Sequence, residues 1–283
     1  MAKEEANTKL TKPSSPLDKV PDYLREFDKE EGFEEVKPGE VKIPRLILAQ
    51  KGHPQVDENE PNFIAGLKVG EYFNSITGQI YGAQIIILPL LKFGERIRFA
   101  DKETGGGILC RSFDMIKGEG DPGGECAKCK YPAFGSAKGG TGKGTDCAEF
   151  KNFPAIVVDE KGRLDVANTV IVTMKSTHLV AAEQLISLSK FRSAPMYTGT
   201  YKMTSRPKKF AKGNAHVPVV ENFGWVAPED AAAAKAAYEF MKQVRAEGRL
   251  KFDEHDDDDE IPGDEAPPSG RREDPDAPGD ARE

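Results

Sequence analysis

The chain has only four cysteines, four histidines and one tryptophan in 283 residues, and it has no long apolar run. The longest apolar stretch, Ile85 to Leu91, is strand-sized. That falls well short of the roughly 20 residues a membrane-spanning helix needs, so no membrane partner is expected. The opening MAKEEANTKL has no apolar core of a signal peptide, which points to a cytoplasmic protein, in the host cell if the chain is viral. There, thiols stay reduced, and paired cysteines read as metal ligands rather than disulfides. His53, His178, His216 and His255 are scattered, and none is followed by x-Glu, which excludes the zinc-deaminase pattern. No GxSxG or HExxH motif and no paired-carboxylate constellation occurs. GGTGKGTD at 139–146 resembles a phosphate-binding loop, but Ala137 and Gly144 stand where that motif needs Gly and Ser or Thr. It reads as a flexible loop, and no enzyme is expected.

Charge is unevenly distributed. Asp253 to Glu283 holds fourteen acidic and three basic residues, a net of −11, and residues 1–40 carry −4. The body between, 41–252, has 30 basic and 22 acidic residues, a net of +8. Residues 1–40 read as a flexible arm with one short helix around Asp22 to Glu31, and 251–283 as a disordered acidic tail. The body divides into a nucleic-acid-binding unit over 41–227 and a C-terminal helix over 228–250 opened by Pro228.

Within the body, β-branched and alternating segments predict strands at 41–49, 80–91, 95–100, 154–158 and 168–174. Apolar spacing predicts a helix over 177–190, with Ser176 or Thr177 as its N-cap. Two strands follow at 197–205 and 217–226, joined by a basic turn, RPKKFAKGN. A five-stranded Greek-key barrel of the OB type has this order, with its helix between the third and fourth strands. The fold class read is therefore mainly β, an OB-like barrel with a zinc-binding insertion, one or two helices and disordered termini.

All four cysteines fall in a Gly- and Lys-rich insertion over 105–150, spaced C-x15-C-x2-C-x17-C. A CxxC turn offers two sulfurs to one metal, at about 2.3 Å for zinc, and Gly123 and Gly124 before it supply unusual backbone angles. Cys126 and Cys129 with Cys110 and Cys147 form a candidate structural Zn2+ site that would give the insertion its core. The alternative is that Cys110 and Cys147 only pack, and that the CxxC is fortuitous.

Basic and aromatic residues interleave along the body, a mixture suited to single strands because cations follow phosphates while rings accept bases. The candidates are Lys92, Arg96, Arg98, Phe99, Arg111, Phe113, Lys128, Lys130, Tyr131, Phe134, Tyr197, Tyr201, Lys202, Arg206, Lys208 and Lys209, with Lys190 to Arg192 a further instance of the pattern. The competing reading places the aromatics in the core and the cations on the opposite strand face.

The OB-like order, the knuckle (LCRSFD, GGECAKCKYPAF, DCAEF) and the acidic run together resemble bacteriophage single-stranded-DNA-binding proteins of the helix-destabilising type. The resemblance covers about 41–260 and implies an OB barrel, an intrinsic zinc subdomain, single-stranded DNA as ligand, and a tail that meets replication or recombination proteins. The chain departs from that type in offering four Cys where a His joins the zinc ligands. It also ends PDAPGDARE, without the short hydrophobic tip found at the end of bacterial single-strand-binding tails. The other function consistent with a knuckle and an acidic tail is a zinc-containing transcription factor that binds RNA polymerase.

Overall fold

The twelve residues Cys147–Val158 are apolar on both faces along their second half, which is what a strand in the middle of a sheet requires. In the computed structural model, which describes residues 31–36, 41–101, 106–137, 144–159, 161–210, 213–248 and 250, this strand is β9. Along one side it pairs antiparallel with β10 (Leu164–Lys175). Along the other, its first half pairs with β5 (Phe93–Phe99) and its second with β4 (Gln84–Pro89). Pro154 sits at the gap between those two partners, where its missing N–H costs no ladder bond, while its carbonyl accepts from the Leu90 amide at 2.8 Å.

Beyond β10 the sheet continues through β1 (Arg45–Leu48), β2 (Tyr72–Asn74) and β3 (Ile80–Gly82). On the β5 side it runs on through β6 (Ile108–Ser112), β7 (Lys117–Gly120) and β8 (Gly124–Glu125). From β4 a branch leads to β11 (Gly199–Phe210) and then β12 (Gly213–Trp225). The protein is thus mainly β, with α1 (Leu179–Phe191) and α2 (Ala231–Ala246) as the α-helices among the described residues.

Strand alternation sorts the core into layers. Phe153, Ala155 and Val157 of β9 point inward with Leu46, Leu48, Ile85, Ile87, Val170, Val172, Tyr201, Met203 and Val220, and α1 covers them with Ala181, Ala182 and Leu185. Ile156 and Val158 face the other way, with Leu88 and Leu90, against Ala234, Ala237 and Met241 of α2. A third cluster, Ala49, Leu67 and Phe73, lies under the turns that follow β1. Polar stitches cross the sheet as well: Arg111 donates to Glu95 at 2.8 Å, Asn152 donates to Glu95 at 3.0 Å, and Thr173 donates to Asn152 at 2.8 Å.

Against the expected closed barrel, the backbone ladder stays open. Among the described residues β12 meets the end of β1 through side-chain bonds in place of a ladder: Gln50 donates to the His216 carbonyl and accepts from the His216 amide, both at 2.9 Å. β1 is too short to pair there, because it ends at Leu48 before the Gly52–Pro54 turn.

Other expectations shift in detail. Most of the basic turn is strand: Arg206 to Phe210 pair residue by residue with Gly213 to Val217, lengthening both strands of the hairpin, and residues 211–212 lie outside the described residues. The expected N-cap gives way to a 3-10 turn over Ser176–His178, and α1 starts without a side-chain cap bond. The first part of the arm (1–30), residues 37–40 and the acidic tail (251–283) lie outside the described residues, as does most of the phosphate-loop-like GGTGKGTD. Among the described residues no helix is long and apolar enough to cross a membrane.

Candidate nucleic-acid interface and cysteine cluster

The insertion is built as a chain of short hairpins on the edge of β5. Asp114 makes the first turn, its carboxylate accepting from the amides of Ile116 (2.7 Å) and Lys117 (3.0 Å) and from the Ser112 hydroxyl (3.1 Å). These bonds hold its carboxyl below the ordinary aspartate range. Gly120 has φ +105, and a Cβ there would fall 2.1 Å from the Leu109 carbonyl oxygen, so only glycine lets β7 lie against β6.

This path carries the cysteines. Cys110 in β6 and Cys147 at the start of β9 are the register partners of Arg98 on its two sides. Cys126 opens a 3-10 turn over Cys126–Lys128, and the Cys129 amide closes it on the Cys126 carbonyl at 3.2 Å. The Cys126 amide is held by the Ile116 carbonyl at 2.8 Å, and the Cys147 amide by the Tyr131 carbonyl at 3.1 Å. A Cβ at Gly118 would sit 2.8 Å from the Cys110 sulfur, so the missing side chain leaves room for that thiol. All four are free thiols. Burial pushes the Cys147 thiol up to about 11; Arg96 opposes this, while Cys110, Cys126 and Cys129 add to it, so each of the four lies within electrostatic reach of this site. Among the described residues, however, no three His, Cys, Asp or Glu side chains are drawn together closely enough to stand as a ligand set.

Arg98 ties this path together. It is 4% exposed and donates to Asp146 at 2.7 Å and to the Asp121 carbonyl at 3.3 Å, and its guanidinium lies 3.7 Å from the Tyr131 ring centroid. One side chain thereby meets the turn before the CxxC, Tyr131 two residues beyond it and the return into β9.

The sixteen nucleic-acid candidates do not form one surface. Tyr201 is 1% exposed and belongs to the main core. Arg98 is used as just described, Phe99 packs edge-on against Phe150, and Tyr197 stacks on Tyr238 of α2 at 4.8 Å. Arg96 pairs with Glu149 and Arg111 with Glu95, the latter also facing the ring of Phe113. Two groups remain open. Lys128, Lys130 and Tyr131 line a cleft of about 520 Å3 beside Cys129, with Lys128 also meeting Glu125 at 2.8 Å, and Phe134 is exposed nearby in sequence. Arg206, Lys208 and Lys209 are exposed on the outer half of the β11–β12 hairpin. Lys92 is exposed and apart from both groups in sequence, while Lys202 is half-buried on β11, four residues before Arg206.

That outer half is a ribbon. β4 pairs with β11 only as far as Thr204, so beyond it β11 has β12 as its sole ladder partner among the described residues. Alternation sets Lys202, Arg206, Lys208 and Phe210 on one face and Lys209 on the other. The sequence pattern took in Arg192 but not its partner at the base of the same hairpin, the exposed Trp225 that it lies against. The KFR run at 190–192 was the available signal; the ring it meets is 33 residues away in sequence.

No curated protein and no solved structure matches the chain. The Pam3 phage gp34-like protein family matches residues 9–248, which take in every described element, and the chain belongs to that family of phage proteins.

Proposed function

We propose that the chain is a single-stranded-DNA-binding protein of phage replication or recombination type, acting in the host cytoplasm without regard to sequence and without a catalytic step. The observation that carries this reading is the basic ribbon: Arg206, Lys208 and Lys209 project on a two-stranded arm with the sheet no longer behind it. A narrow arm bearing exposed cations suits a flexible phosphate backbone, which it can follow without presenting base-reading groups. The Lys128–Lys130–Tyr131 cleft offers a second place where a cation and a ring stand together. The OB-like barrel plan belongs to this same reading, with the Gln50–His216 bonds in place of a closing ladder.

Structural zinc is part of the proposal. Cys110, Cys126, Cys129 and Cys147 would hold it as thiolates, and the metal would fix a hairpin chain with little apolar core of its own. Thiols must lose their protons to bind the metal, so zinc uptake by metal-free protein should acidify a weakly buffered solution.

The test is a titration of labelled oligo-dT, a mixed-sequence single strand and a duplex of equal length. Similar affinity for both single strands, and weaker affinity for the duplex, is the expected result. Equal affinity for all three, or retention by RNA polymerase without affinity for DNA, would contradict the reading.

A further inference from the structure

The base of the β11–β12 hairpin carries an exposed ring whose orientation is fixed. Trp225, the only tryptophan of the chain, is 57% exposed. The Arg192 guanidinium lies 4.5 Å from its ring centroid and 4.9 Å from that of buried Tyr201. That guanidinium donates to Asn222 Oδ1 at 3.1 Å and to the Gly224 carbonyl, so the strand carrying Trp225 also anchors the cation against it. Gly199, the register partner of Trp225, makes this possible, because a Cβ there would sit 2.6 Å from Arg192 Nη1. Phe223 is 46% exposed at the irregularity in the β12 register, and Phe191, next to Arg192 at the end of α1, is 85% exposed. Single exposed apolar side chains are ordinary; an exposed tryptophan with a cation fixed against its ring by the tryptophan's own strand is not explained by packing.

Resting on the single-strand reading above, we infer that Trp225, held by Arg192, is a base-stacking platform for single-stranded nucleic acid. A cation against one side of the ring holds it still and leaves the rest to solvent, so a base can stack with little further ordering. Arg192 and the exposed Lys190 supply positive charge for the flanking phosphates, which favours nucleic acid over an apolar protein segment as the occupant. Nearby acids are engaged elsewhere: Glu229 and Asp230 meet Arg163, and Glu221 meets Arg206.

Because the tryptophan is unique, its emission reports on this one place. Oligo-dT added to the full-length protein should change Trp225 emission in step with the anisotropy of a labelled strand. Trp225→Ala should weaken binding roughly 5- to 150-fold, the range of one lost stacking contact, without altering the slope of log affinity against log salt. Trp225→Phe, which keeps a ring, should retain most of the affinity, and Gly199→Ala, which displaces Arg192, should lose part of it. If wild type binds oligo-dT with unchanged emission and Trp225→Ala binds equally well, the platform is refuted and the single-strand reading stands. If wild type does not bind oligo-dT at all, both fall.

Discussion

Among single residues, Arg98 carries more of the insertion than any cysteine does through hydrogen bonding. Its side chain is enclosed and its donors are shared between Asp146 and Asp121. Removing it strands a largely buried Asp146 carboxylate, so Arg98→Ala should cost roughly 1.5–3 kcal/mol, as expected for a hydrogen bond to a charged group. Arg98→Lys should rescue little, since one ammonium cannot span Asp121, Asp146 and Tyr131 together. Denaturant melts of the two variants check this, and wild-type stability in Arg98→Ala would contradict it. Asp114 gives a pH-dependent counterpart. Its folded pKa is lowered, so its contribution is present above the unfolded value of about 3.9 and is lost as pH falls through the folded value. Amide exchange at Ile116 and Lys117 should therefore accelerate on acidification below about pH 4, beyond the intrinsic pH effect, and Asp114→Asn should flatten that response.

The β11–β12 hairpin is the element on which the functional reading turns. Each phosphate contact released should reduce the slope of log affinity against log salt by about 0.7 for a single strand. Arg206→Ala, Lys208→Ala and Lys209→Ala combined should thus lower it by about 2, with affinity falling similarly for every sequence. An unchanged slope would move the phosphate contacts elsewhere. This element also marks what could be read in the sequence. Its two ends, 197–205 and 217–226, were legible from alternation, but RPKKFAKGN carries the Pro, Lys and Gly of a loop, and only the pairing of Arg206–Phe210 with Gly213–Val217 makes those residues strand. β2, β7 and β8 were missed because each is four residues or fewer, too short for a period to show. Both helices were legible, their apolar spacing running for three turns or more. For the cysteines, their shared insertion was legible, whereas the burial of Arg98 and Tyr201 was not. Composition places a basic or aromatic residue on a strand without saying which face it takes or which acid it meets.

Over the whole molecule, the +8 body and the −11 segment from Asp253 to Glu283 oppose each other. A tethered acidic segment acts at an effective concentration of about millimolar and competes with DNA phosphates, most strongly when salt does not screen it. Deleting 253–283 should tighten oligo-dT binding at low salt and steepen its salt dependence. Equal affinities with and without the segment would leave it a role in solubility alone. Zinc is also settled on the whole protein, by elemental analysis of material purified without chelator. About one zinc per chain, released by thiol modification, is expected; metal-free, folded protein would contradict it.

The most direct measurement of the central claim is the anisotropy of a labelled oligo-dT titrated with full-length protein at several salt concentrations. The account predicts saturable binding at low salt, with log affinity falling linearly and steeply as log salt rises, and the same curve for a mixed-sequence strand. Absence of binding at about 50 mM salt, or affinity indifferent to salt, would contradict it.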